Sequence, residues 1–134
     1  MKLTFTTLLV AALSAASMVS ATLASDQKRC NERNTQVPIA IYNFCSGGTA
    51  GAHIFVPSTY ATNGAHIGTG GPRDTHVRIV GTCSPKQWVP QDICVNQFMN
   101  MCANAQRGSK GDSIKDFGRN NCQQFVIKVK GAYS

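Results

Sequence analysis

Residues 90–105 carry the sequence PQDICVNQFMNMCANA, and this stretch predicts the helix that organises the fold. Its apolar positions recur at spacings of four, three and four residues, which places them on one face of an α-helix. Pro90 suits the first helical position, and Gly108 is well placed to end the helix. The apolar stripe consists of Cys94, Phe98, Met101 and Ala105. Because the opposite face is formed by uncharged amides, we expect the helix to pack on a sheet rather than to lie on a membrane.

Two cysteines lie on this helix. Cys94 and Cys102 are eight positions apart, about 12 Å along the axis, which is too far for them to bridge to each other. Each must therefore join the helix to another element. An even number of cysteines in a short exported chain predicts disulfides rather than a metal cluster. The six cysteines predict three disulfides of open pairing, formed by Cys30, Cys45, Cys83, Cys94, Cys102 and Cys122.

The rest of the chain shows short alternating segments. Apolar and β-forming residues predict strands at 38–44 (PIAIYNF), 52–56, 75–83 and 122–130. In the last of these, Phe125, Ile127 and Val129 are expected to face inward, and Gln124, Lys128 and Lys130 outward.

Two further segments separate these strands. The glycine-rich residues 58–74 predict a long loop and a candidate binding surface, and Ser113 to Phe117 predict a helical turn. The predicted fold is α+β, a small antiparallel sheet of about four strands packed by one main helix and stapled by three disulfides.

The N-terminus predicts export. Residues 1–24 combine Lys2, a short apolar run and small residues, as secretory signal peptides do. The run is too short for a stable membrane span. Residues 25–29 form a candidate pro-segment that ends at the dibasic pair Lys28 and Arg29, although the pair could equally be ordinary solvated charge. Residues 30–134 would then be one disulfide-stapled domain, secreted and extracellular.

The charge balance is basic. The chain has a net charge of +7; residues 1–29 hold three of its 13 basic and one of its six acidic residues, so the remainder carries +5. Such an excess favours anionic partners such as phospholipid headgroups, acidic cell-wall polymers or nucleic acid, although a simple solubility charge would look the same. The candidate binding residues are Lys128, Lys130, Arg119, Arg73 and Arg78.

Catalytic chemistry has few candidates. The strings TAGAHI (49–54) and TNGAHI (62–67) present two histidines in similar settings, and with His76 and Asp74 they could be imagined as metal ligands. No tight ligand spacing supports this, so no metal or cofactor is predicted. The main enzymatic alternative is a secreted ribonuclease-like hydrolase, whose acid, base and cation would come from His53, His66, His76, Glu32 and Arg73.

Other enzyme classes lack their motifs. The sequence has neither the G-x-S-x-G elbow of serine hydrolases nor a phosphate-binding P-loop. Its few carboxylates are dispersed along the chain, which disfavours glycoside hydrolysis.

In its layout the chain resembles the small secreted cysteine-rich proteins of fungi, which include virulence effectors and killer-toxin-like proteins. The shared features are the leader, the dibasic pair before the first cysteine, the six cysteines and the basic one-domain body. A local detail is the helix with Cys94 and Cys102, followed by the strand that begins NCQQF (121–125). The resemblance implies action on target cells or their channels, or binding of a host protein or cell-wall ligand.

The leading hypothesis is therefore a secreted, basic, non-enzymatic binding protein that acts on an anionic or protein target at a cell surface or cell wall. Its expected contact surfaces are the strand face of Lys128 and Lys130 and the loop at 58–74. In the ribonuclease-like alternative, nucleic acid would be the partner.

Overall fold

A computed structural model of the chain describes residues 22–47 and 53–132. Most of the predicted signal peptide, residues 1–21, lies outside the described residues, as do residues 49–52 of the first histidine string. The described helices are α1 (residues 22–33), α2 (Gln36–Cys45), α3 (Thr59–Asn63) and α4 (Gln91–Ala103). The strands are β1 (Ile54–Val56), β2 (Ala65–Ile67), β3 (Thr75–Gly81), β4 (Gln87–Val89), β5 (Ser113–Phe117) and β6 (Gln123–Val129). A 3-10 turn at Arg119–Asn121 joins β5 to β6.

The strands form two antiparallel sheets. The larger has the order β2-β3-β6-β5, and the smaller pairs β1 with β4. One face of the larger sheet packs against α2 and α4 through fully buried rings. Phe98 of α4 lies 5.9 Å from Phe44 of α2 and 4.6 Å from Phe125 of β6, measured between ring centroids. The predicted α+β fold is confirmed, including the inward faces of Phe125, Ile127 and Val129.

The three predicted disulfides are confirmed, and they have definite partners. Cys30–Cys102 and Cys45–Cys94 join α4 to α1 and α2, and Cys83–Cys122 joins the end of β3 to the start of β6. The separations along the chain are 72, 49 and 39 residues. In the chain-entropy account each bridge contributes about 4 kcal/mol by restricting the unfolded state.

The strand predicted at 38–44 is wrong, because this segment lies in α2. Its apolar residues fit two periods. Ile39 and Ile41 alternate, as in a strand. The buried residues instead have the spacing of a helix: Val37, Ala40, Ile41, Phe44 and Cys45. Packing against α4 favours the helix. Pro38 is tolerated because it lies in the first turn, where backbone N–H groups have no intrahelical acceptor.

Three smaller predictions also need correction. The segment 58–74 is not one loop: Ser58 caps α3 by accepting from the Ala61 N–H at 3.1 Å, and β2 follows after Gly64. The continuous loop is therefore limited to residues 68–74. Ser113–Phe117 forms the edge strand β5 rather than a helical turn, since it pairs with β6. The helix α4 ends at Ala103, and Asn104 caps it: the Asn104 backbone N–H and side chain both donate to the Asn100 carbonyl, at 3.1 and 2.8 Å. Gly108 lies beyond this end.

The dibasic pair lies within α1. Arg29 Nη2 donates to Asn104 Oδ1 at 2.7 Å and to the Ala103 carbonyl at 3.3 Å, at the end of α4. Asp26, which is buried, accepts from Asn100 Nδ2 at 3.2 Å. Residues 26–30 are thus packed on the domain, and cleavage after Arg29 stays a prediction. None of the helices among the described residues is long and apolar enough to cross a membrane.

Candidate functional site

The outer face of the larger sheet carries basic side chains. Along β3, Thr75, Val77 and Ile79 are buried against the helices, and the residues between them point the other way because strand side chains alternate. The strand register places His66 of β2 opposite His76 of β3, and His76 opposite Lys128 of β6. Arg78 follows His76 on the same face. We call His66, His76, Arg78 and Lys128 the basic face.

The two imidazoles of the basic face are in direct contact. Their ring centroids are 3.8 Å apart and their planes differ by 14°. His76 Nε2 lies 2.7 Å from the carbonyl oxygen of Asn63, the last residue of α3, so Nε2 carries the proton in this hydrogen bond. Gly64, with a φ of +66°, turns the chain from α3 into β2 and so sets this geometry.

The charge state of His76 depends on its surroundings. Partial burial lowers the pKa of His76, because it disfavours the imidazolium form. The Asn63 carbonyl opposes this effect by accepting the proton of Nε2, whereas the charges of His66 and Arg78 lower the pKa further. His76 therefore stays neutral to a lower pH than an ordinary imidazole and gains positive charge as the pH falls further.

Within residues 22–47 and 53–132, no carboxylate forms an ion pair with the basic face. The one ion pair in the described part of the chain joins Lys28 to Glu32, at 3.9 Å within α1. Arg78 Nε is shielded from solvent and has no hydrogen-bond partner among the described residues. Asp116, further along the same face, instead accepts from Gln124 Nε2 at 3.4 Å. The arrangement concentrates unpaired positive charge on a rigid surface, which suits an anionic partner.

Two predicted binding residues lie beside this face in the loop region. Lys130 Nζ donates to the Gly70 carbonyl at 2.9 Å, and Asp74 accepts from the Gly70 N–H. These contacts hold the loop at 68–74 to the end of β6. The Arg73 carbonyl accepts from Asn34 Nδ2 at 3.1 Å, and the Arg73 side chain is exposed. The Lys130 side chain therefore stabilises the loop, whereas the Arg73 side chain is available to a partner.

The other candidate residues are scattered. Arg119 lies in the turn before β6, at the opposite end of that strand from Lys128. His53 contacts Trp88, with ring centroids 5.9 Å apart, and Glu32 pairs with Lys28. Of the residues proposed for ribonuclease chemistry, the structure brings His66 and His76 together. Within residues 22–47 and 53–132, no group of three His, Cys, Asp or Glu side chains could hold a metal ion.

No family model matches the chain, and comparison with curated proteins and with solved structures gave no match.

Sequence reasoning found His66, His76, Arg78 and Lys128 singly but not as a group. The sequence holds a signal for the group: the string TNGAHI and the strand at 75–83 lie on either side of the glycine-rich residues 68–74, which can connect two paired strands. Treating 58–74 as one loop hid β2, and with it the register that stacks the two rings.

Proposed function

We propose that this chain is a secreted, non-enzymatic binding protein that uses the basic face to bind an anionic target at a cell surface or cell wall. The observation that carries the proposal is the grouping of His66, His76, Arg78 and Lys128 on one exposed sheet face without a carboxylate partner in the described part of the chain. Arg78 and Lys128 carry the formal positive charge of this face near neutral pH, and an anionic ligand would offset that charge. As the pH falls, protonation of His76 adds to it. The basic face should therefore bind an anionic group in preference to a neutral one.

Rigidity supports the same proposal. β3 and β6 are the two central strands of the sheet, and the Cys83–Cys122 bridge ties them together at one end. A preorganised surface loses little conformational freedom when it binds. The layout shared with fungal effectors and killer-toxin-like proteins favours a host or competitor cell as the bearer of the target.

The test is salt-dependent binding to two probes, polygalacturonate resin and vesicles that contain phosphatidylserine. Because each cation near an anionic surface contributes about 1 kcal/mol, the variant Arg78→Gln/Lys128→Gln should bind about 30-fold more weakly and with a shallower salt dependence. The matched control, Arg107→Gln/Lys115→Gln, removes the same charge away from the basic face. If both variants lose the same affinity, net charge alone explains binding and the proposal is overturned.

A second candidate, a ribonuclease-like hydrolase, is favoured by one observation. Two imidazoles in contact beside Arg78 could supply the acid, the base and the cation that phosphodiester cleavage needs. The ribonuclease-like hypothesis would be favoured if the wild type cleaves single-stranded RNA and if His66→Gln and His76→Gln each lose this activity. Binding without turnover would support the non-enzymatic proposal.

A further inference from the structure

A second, separate surface lies at the other end of the sheet. A groove with a volume of about 930 Å³ runs between the segment 82–90, α4 and the turn before β6. Its size falls in the range of small-molecule sites. None of its lining residues is acidic. Its polar and aromatic lining includes Lys86, Trp88, Gln97, Arg119, Asn120 and Asn121.

Specific contacts join the two walls of the groove, β4 and the turn before β6. Gln87 Oε1 accepts from the Arg119 N–H at 3.1 Å and from Gln123 Nε2 at 3.0 Å. Gln87 Nε2 donates in turn to the Arg119 carbonyl at 3.4 Å. A side chain at Gly118 would collide with Gln87 and Gln123, so the turn packs tightly onto β4. The Cys83–Cys122 disulfide crosses the same region. These contacts fix the backbone of Arg119, from which its exposed side chain extends.

The turn also carries backbone strain. Asn120 and Asn121 both adopt left-handed conformations, with φ of +58° and +54°. Non-glycine residues in this region cost free energy, and such residues cluster at binding sites. The geometry directs consecutive amide-bearing residues to one edge of the groove.

Trp88 provides an aromatic surface beside these amides. It is 54% exposed, and its cross-strand neighbour Phe55 is 43% exposed. A tryptophan this exposed leaves apolar surface in water, which a ligand with an apolar face would cover. Lys86 and Arg119 stand in the same groove, and no carboxylate in its lining neutralises them.

We propose that this groove binds an acidic saccharide, with one face of a pyranose ring stacked on Trp88. Amides both donate and accept hydrogen bonds, as sugar hydroxyls do, so Asn120, Asn121 and Gln97 suit a polyhydroxylated ligand. Lys86 and Arg119 would bind the carboxylate. Gln97 Oε1 is buried and accepts no hydrogen bond among the described residues. A ligand hydroxyl that draws this amide into the groove can donate to it, and a saccharide carries such hydroxyls on every ring.

The site goes beyond the proposed function, because its residues are not those of the basic face. Trp88 is the one tryptophan in the chain, so the fluorescence signal comes from a residue of the groove lining. The oxidised protein is titrated with trigalacturonate, with an uncharged galactose trimer and with adenosine monophosphate. We expect a saturable change with trigalacturonate at or below about 1 mM, and about tenfold weaker binding of the uncharged trimer.

Variants separate this site from an effect of net charge. Lys86→Gln/Arg119→Gln should bind trigalacturonate about tenfold more weakly and so lose the preference for the acidic trimer. Arg107→Gln/Lys115→Gln, which removes two charges outside both surfaces, should leave the fluorescence titration unchanged. The proposal is overturned if no saccharide gives saturation below about 10 mM, if adenosine monophosphate binds more tightly than trigalacturonate, or if Lys86→Gln/Arg119→Gln binds like the wild type. A near-UV circular dichroism spectrum like that of the wild type, together with three retained disulfides by intact mass, confirms that each variant is folded.

Discussion

His66 and His76 stack face to face across the β2–β3 pair, with their ring centroids 3.8 Å apart. The contact exists because Gly64 turns the chain from α3 directly into β2, which brings His66 opposite His76. Asn63, at the end of α3, holds the second ring by its carbonyl oxygen. Since two imidazolium ions at this distance repel each other, protonation of one ring disfavours protonation of the other. The positive charge of the basic face therefore depends on the turn at Gly64 that brings the two rings together.

The first prediction concerns pH. The pKa of His76 is lower in the folded protein than its ordinary value of about 6.5, so the unfolded chain takes up a proton first as the pH falls. The contribution of neutral His76 to the free energy of unfolding is therefore fully present above pH 6.5. It is lost as the pH falls from 6.5 through the lower pKa that His76 has in the folded protein. His76→Gln should therefore show a smaller decrease in free energy of unfolding between pH 7.5 and pH 5.

The measurement is urea unfolding at several pH values. His53→Gln is the matched control, because it removes an imidazole outside the stacked pair. A wild type and a His76→Gln variant with parallel pH profiles would contradict the prediction.

The second prediction concerns the glycine turn. A Cβ at Gly64 would overlap the Val77 carbonyl oxygen and lie 2.7 Å from Arg78 Cβ, and the residue has a φ of +66°. Gly108 has a comparable φ of +82° but open space around it. Gly108→Ala should thus cost about 1 kcal/mol from the backbone alone, and Gly64→Ala about 3 kcal/mol or more because the strand must also shift.

Chemical denaturation gives both values, and histidine ring NMR signals report the stack. If Gly64→Ala is no more destabilising than Gly108→Ala, the close packing of α3 on β3 is not as described.

The third prediction tests the core. Phe98 is fully buried between Phe44 and Phe125, whereas Ile93 on the same helix is 43% exposed. Phe98→Ala should cost about 3–5 kcal/mol in free energy of unfolding, since it leaves a cavity between α4 and the sheet. Ile93→Ala should cost less than about 1 kcal/mol. Both are measured by denaturation of the oxidised protein, and similar losses would contradict the packing of α4 on β6.

The fourth prediction concerns the dibasic pair. Proteases bind extended backbone, and Arg29 lies in α1, hydrogen-bonded to the end of α4 just before the Cys30–Cys102 bridge. Oxidised protein should be cut after Arg29 at least about 100-fold more slowly than reduced protein, because cleavage requires local unfolding. Mass spectrometry of timed digests measures both rates. Asn104→Ala, which removes one contact of Arg29, should accelerate cleavage of the oxidised form. Rapid cleavage of the oxidised wild type would show that α1 opens freely.

Several elements could be predicted from local patterns. The helix with Cys94 and Cys102, the strands β3 and β6, and the attachment of α4 to other elements by its cysteines all follow from spacing within a few residues. The error at α2 has a physical cause: residues 38–44 fit both a strand and a helix, and the choice depends on burial against α4. β5 and β2 were missed because short strands depend on pairing partners more than on their own residues.

The sequence by itself determined an α+β fold with three disulfides and a basic chain, because periodicity and composition are properties of neighbouring residues. Only the tertiary structure decided which cysteines pair, that His66 stacks on His76, and that Arg119 and Trp88 line one groove. Each of these depends on contacts between distant segments, as in the 72-residue separation of Cys30 and Cys102. Such contacts form when burial in a common core compensates the entropy of closing the loops between them.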